Sequence, residues 1–159
     1  MAKETEGKIL DIEVVRPGVE AVLTRNDLGF YLIAEHSGRP AGQLLITYEW
    51  SDWRNSFFWW IQSVYVVPEF RRLGVYKALH YYAAEDARRQ GDVRGLRLYV
   101  DKDNTIAQGV YAGLRMRPTH YDMYEIDFDA RPEVKLPEEG PPEEGPLQEE
   151  QKENDDATG

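Results

Sequence analysis

The run Val64-Tyr65-Val66-Val67-Pro68-Glu69-Phe70-Arg71-Arg72-Leu73-Gly74-Val75-Tyr76-Lys77 sets an apolar strand, a short basic loop and the start of a long helix in direct succession. The start of a helix exposes N–H groups that have no intrahelical acceptor, together with the positive end of the macrodipole, so it attracts anions. Gly74 adds a position where backbone approaches a ligand with no Cβ in the way. With Arg71, Arg72 and Lys77 beside it, this junction has the chemistry of a phosphate or pyrophosphate site. A single glycine among basic residues also suits an ordinary surface loop, so the segment alone leaves both readings open.

A second segment, Asn104-Thr105-Ile106-Ala107-Gln108-Gly109-Val110-Tyr111, followed by Leu114-Arg115-Met116, reads as a capped helix. Asn is a preferred N-cap residue, because its side-chain oxygen accepts from an orphan N–H of the first turn. Tyr111 shares a helix face with Ala107 and Leu114. Core packing accounts for it there, and so does service as a proton donor.

The two segments together resemble the GNAT superfamily of N-acetyltransferases. Arg71, Gly74 and Tyr76 take the defined positions of its Arg/Gln-x-x-Gly-x-Gly/Ala acetyl-coenzyme A loop, and Asn104, Ala107 and Tyr111 match its Asn-x-x-Ala-x-x-x-Tyr helix. They occur in the family's order, separated by one helix and one strand. Tyr76 departs from the small residue usual at the third loop position, and Arg115 departs from the glycine expected after the second helix. The resemblance spans roughly residues 30–128. It implies an α+β fold with a mixed, mostly antiparallel central sheet flanked by helices and a β-α-β crossover at the cofactor site, with the family's first strand expected to be missing here. A partner copy in a homodimer would then supply the missing edge.

The resemblance also implies roles. The cofactor is acetyl-coenzyme A, used as co-substrate and held by Arg71, Arg72, Leu73, Gly74, Val75, Tyr76 and Lys77. Backbone of Tyr65, Val66 and Val67 pairs with it and polarises the acetyl carbonyl. Asn104 steadies the cofactor arm, and Tyr111 stands near the sulfur as the general acid.

Amide formation from a thioester needs a neutral amine, a polarised carbonyl and a proton for the leaving thiolate. The sequence has no cysteine to carry an acyl group, so direct attack of the amine in a ternary complex is the expected route. Glu49 is the candidate general base, with a plain surface carboxylate as the alternative. His36, His80 and His120 are isolated, and no metal site or triad is expected; His120 is a more distant candidate for the base. No Gly-x-Gly-x-x-Gly or Gly-Lys-Ser/Thr element follows a strand, which argues against dinucleotide-binding and P-loop enzymes.

Positioning these residues requires an ordered run of elements. Residues 12–25 read as a helix, 30–35 and 41–50 as a hairpin turning at Ser37-Gly38-Arg39-Pro40, and 57–67 as a third strand ending at Pro68. A helix over 72–90 stopped by Gly91, a strand over 96–100 parallel to the third, the helix opened by Asp103 or Asn104 and a final strand over 121–128 complete the domain. The aromatic group Tyr48, Trp50, Trp53, Phe57, Phe58, Trp59 and Trp60 divides between core and an acceptor pocket or dimer interface, and alternation alone does not say which half goes where.

The chain of 159 residues is 42% apolar, enough for one core in a domain of residues 1–130. Its net charge of -10 is concentrated in residues 131–159, a Pro- and Glu-rich stretch read as a disordered tail. With no basic stripe, nucleic acid is an unfavourable partner; an amine-bearing small molecule or a protein amine suits the charge. The most apolar short run, residues 57–61, is far too short to cross a bilayer, so no membrane association and a cytoplasmic location are expected. Two other readings stay open: a catalytically inactive acetyl-coenzyme A binder, and a plain protein-interaction domain.

Overall fold

The computed structural model describes residues 3–4 and 7–128, so the expected tail lies outside the described residues. Helix α1 (Ile12–Thr24) is capped by Asp11, whose carboxylate accepts the Glu13 N–H at 3.0 Å. Strands β1 (Gly29–His36) and β2 (Arg39–Ser51) form the predicted hairpin. Its two-residue turn has positive φ at both Ser37 and Gly38, the geometry whose twist matches that of the flanking strands. Strand β3 (Ser56–Val66) pairs antiparallel with β2. Helix α2 (Val75–Gln90) then crosses to β4 (Val93–Arg97), which is parallel to β3, and helix α3 (Thr105–Gly113) follows. The sheet order is β1-β2-β3-β4. Among the described residues no strand precedes α1.

Alternation along β3 divides the aromatic group. Trp59 and Ile61 are buried with Leu44 and Ile46 of β2, and Leu79, Ala83 and Ala87 of α2 close over them at successive four-residue intervals. Phe57 packs against the same cluster, while Phe58 and Trp60 face the other side of the sheet. Leu79, at 4% exposure, contributes about 1.5–3 kcal/mol of apolar burial.

Three sequence expectations need correction. The α2 helix starts at Val75 rather than Arg72, because Arg72 and Gly74 adopt the left-handed region (φ 63° and 83°), which interrupts helical geometry. The fourth strand is shifted: its ladder covers residues 93–97, and residues 98–100 leave it. The final strand over 121–128 is irregular, with Tyr121, Tyr124, Ile126 and Phe128 at least 70% exposed. An alternating apolar pattern becomes a strand only where another edge accepts its hydrogen bonds, and here the segment pairs with none of the strands.

Helix α3 ends in a Schellman motif: the Met116 N–H donates to Tyr111 O and the Arg115 N–H to Ala112 O, both at 3.0 Å. Arg115 occupies the left-handed position (φ 65°) where glycine is relaxed and a side chain is strained. Arg115→Gly should therefore raise stability by about 0.5–1 kcal/mol. The check is a urea midpoint that moves upward at unchanged m-value; a lower midpoint contradicts the assignment.

Candidate active site

The β3–α2 junction has the features of an anion cradle. Gly74 is the N-cap of α2 and no side chain among the described residues caps the helix, which leaves its first-turn N–H groups facing outward. A Cβ built on Gly74 would meet nothing within 4 Å, so the space before the helix start is open. The residues present therefore fit a pyrophosphate held by backbone. Their side chains contribute unequally. The Arg71 guanidinium pairs with Glu4 and donates through Nε to Val66 O at 3.0 Å, which commits it to bracing the loop. Arg72 makes no ion pair among the described residues, and Lys77 lies over the Tyr81 ring at 5.8 Å.

Next to this cradle the sheet opens. β3 and β4 are paired only from Phe57/Val93 to Trp60/Arg97, while β3 continues to Val66. The Val67 N–H donates to Ala41 O at 3.0 Å, toward β2. By strand alternation, the backbone groups of Val66 and Val64 then face the open edge. Gly42, opposite Val66, lets α2 approach closely: a Cβ there would lie 2.9 Å from both Tyr65 O and Val75 Cγ1. Beyond Trp60, β3 thus has no β4 partner among the described residues, and the helix start lies beside its end.

Helix α3 carries the two other predicted residues. Asn104 is its N-cap, accepting the Ala107 N–H at 3.0 Å through Oδ1. Tyr111 sits one turn from the C-terminus, edge-on to Tyr76 at 5.9 Å between ring centroids. Burial raises the Tyr111 pKa above its ordinary value. Tyr76, the residue that departs from the family pattern, turns its ring toward Tyr111 and His80 rather than over Gly74, and so leaves the cradle open. Its phenol is raised strongly, first by burial and then by Tyr111.

His80 is 5% exposed with Nδ1 unpartnered among the described residues, and burial, followed by the Arg88 charge, lowers its pKa. The folded protein therefore resists protonation of His80 where the unfolded chain accepts it. This contribution to stability is full above the ordinary histidine value of about 6.5 and falls as pH drops below it. The expected result is that the stability lost between pH 7 and pH 5 is smaller in His80→Leu than in the parent; equal losses would remove His80 as a source.

Glu49 is placed differently from the other candidates. Its carboxylate accepts from Trp60 Nε1 and from Arg97 Nη1 at 2.6 and 2.9 Å, and the Arg97 guanidinium stacks 3.6 Å from the Phe58 ring centroid. It stands at the closed end of the gap, where Trp60 and Arg97 form the last register pair. A base there must release one of these partners. Trp60 and Arg97 were not foreseen as its partners, because they become neighbours of Glu49 only through the pairing of three strands. His36 packs against Phe70, and His120 against Tyr121, so the three histidines do not converge. Among the described residues no three His, Cys, Asp or Glu side chains gather to hold a metal, and no helix is long and apolar enough to cross a membrane.

Comparison with known proteins bears on the family and the fold. The family model described as Acetyltransferase (GNAT) family matches residues 5–114. A possible acetyltransferase from Clostridium difficile 630 is 44% identical, with a TM-score of 0.75 over 79% of this chain and 83% of that one. More distant structures share the fold. The aminoglycoside N-acetyltransferase AAC(6')-Iy in complex with CoA is 20% identical, with a TM-score of 0.59 over 73% of this chain and 87% of that one. A ribosomal-protein-alanine N-acetyltransferase from Brucella melitensis biovar Abortus 2308 is 19% identical, with a TM-score of 0.60 over 70% and 78%. A search of curated proteins gives no match. With more than half its length matched and the cradle, the gap and the two motif helices assembled together, the chain belongs to the GNAT acetyltransferase family.

Proposed function

We propose that the chain transfers the acetyl group of acetyl-coenzyme A to a primary amine by direct attack within a ternary complex. The observation that carries this reading is the adjacency of an uncapped, open helix start at Gly74 to the β3 edge at Val64–Val66 that β4 does not cover. Phosphates at the first and a thioester arm along the second bring the acetyl carbonyl to donors on the open strand edge. The amine lone pair attacks that carbonyl, the carbon–sulfur bond breaks, and the thiolate takes a proton from the Tyr111 phenol. The amine's surplus proton leaves to water or to Glu49, which is also fitted to attract the incoming ammonium before it is deprotonated. Asn104 holds the first turn of the helix that presents Tyr111.

Similar folds act on amines of different kinds, as the aminoglycoside and ribosomal-protein-alanine N-acetyltransferases do, so the acceptor here is proposed only as an amine-bearing small molecule or a protein amine. The test is release of free thiol from acetyl-coenzyme A across a panel of primary amines and amino-terminal peptides. Amine-dependent, saturable release with matching N-acetyl product is expected; cofactor binding with no release on any member would favour the inactive binder.

A further inference from the structure

At the other end of the sheet from the cradle, a pocket of about 330 Å³ opens beside the C-terminal half of α2. Its walls are Phe30 of β1, Tyr48 of β2, and Phe57 and Trp59 of β3, and its acidic side is formed by Asp86 of α2 and Asp92 after it. Trp59 to Val66 spans about 23 Å along β3 at roughly 3.3 Å per residue, which separates this pocket from the cradle, and Phe57 and Trp59 face the opposite side of the sheet from Trp60, on which Glu49 is held. It plays no part in the proposed reaction.

The rings meet at steep angles rather than in a flat stack. Phe30 and Trp59 are 5.1 Å apart at 76°, Tyr48 and Phe57 6.3 Å apart at 64°. Trp59 is only 5% exposed, so the wall is fixed by the core behind it. The electrostatics of the pocket are one-sided. Among the described residues no lysine or arginine lines it. Asp86 has one oxygen bonded to Arg89 at 3.0 Å, and its charge reaches Tyr48, whose phenol is raised by burial first and by Asp86 second. Asp92 has no side-chain partner among the described residues.

Ligand classes separate on these features. A neutral apolar molecule would use the rings and leave the carboxylates unanswered. A bare metal ion would find too few oxygen ligands for its shell and an aromatic wall in place of the rest. An anion meets two carboxylates. A cation carrying alkyl groups satisfies both halves, since its charge is attracted by ring faces and carboxylates while its carbons bury apolar surface. The volume is at the lower end of small-molecule pockets.

We propose that this pocket binds a small organic ammonium cation, with Phe30, Tyr48, Phe57 and Trp59 as its aromatic walls and Asp86 and Asp92 as its counter-charges. The test is calorimetric titration of the full chain with choline, against 3,3-dimethyl-1-butanol, which replaces the trimethylammonium group with a neutral group of the same shape. Choline should bind saturably and at least about tenfold more tightly than the alcohol, a ratio equivalent to about 1.4 kcal/mol. Asp92→Asn and Asp86→Asn, both at the rim and compatible with folding, should each weaken choline about three- to tenfold. Gly74→Glu should bind choline as the parent does. Absence of saturable choline binding, equal binding of the alcohol, unchanged affinity in both amide variants, or loss of binding in Gly74→Glu would overturn the proposal.

Discussion

Replacing Tyr111 with phenylalanine should lower kcat for acetyl transfer by about 100-fold, at the lower end of what a positioned acid contributes, while acetyl-coenzyme A affinity stays within about twofold. The substitution keeps the ring that packs edge-on against Tyr76 and removes only the hydroxyl. About 2.7 kcal/mol of transition-state stabilisation is at stake. The pH profile supplies a second readout. Burial raises the Tyr111 pKa, so the phenol keeps its proton through the ordinary tyrosine value of about 10 and loses it only above that. The alkaline limb due to this group should therefore lie above pH 10 and vanish in the phenylalanine variant. Unchanged kcat would return Tyr111 to the role of a packing residue.

Gly74→Glu should weaken acetyl-coenzyme A binding by at least about 100-fold. Two effects act together. At φ 83° a side chain costs about 1–2 kcal/mol, and a carboxylate set at the start of α2 repels phosphates where the helix attracts them. Gly74→Ala separates the two, since it carries the strain without the charge. It should bind with an affinity between those of the parent and Gly74→Glu; equal affinities in all three proteins would place the phosphates elsewhere.

Much of this site was legible in the sequence because its chemistry is local. A strand running into a basic loop with Gly74 at a helix start, and Asn104 three residues before the N–H it caps, are facts of near neighbours in the chain. The elements that had to be corrected depend on distant partners. Residues 121–128 carry a strand's alternation, yet alternation supplies no edge to pair with. The α2 start moved because Arg72 adopts positive φ, which its residue type does not advertise. Tyr76 stands where the family loop has a small residue, and only the approach of α3 shows where its ring goes. Glu49 is the clearest case: its residue type suggested a base, while the register of β2, β3 and β4 surrounds it with Trp60 and Arg97. The same register gathers rings from three strands beside Asp86 and Asp92, residues with no common motif.

The most direct measurement of the central claim is calorimetric titration of the full chain with acetyl-coenzyme A, no acceptor present. The account predicts saturable binding at one site per chain, weakened in Gly74→Glu and retained in Tyr111→Phe. Absence of binding at millimolar ligand would contradict it, because the open helix start and the unpaired β3 edge would then have no cofactor to hold.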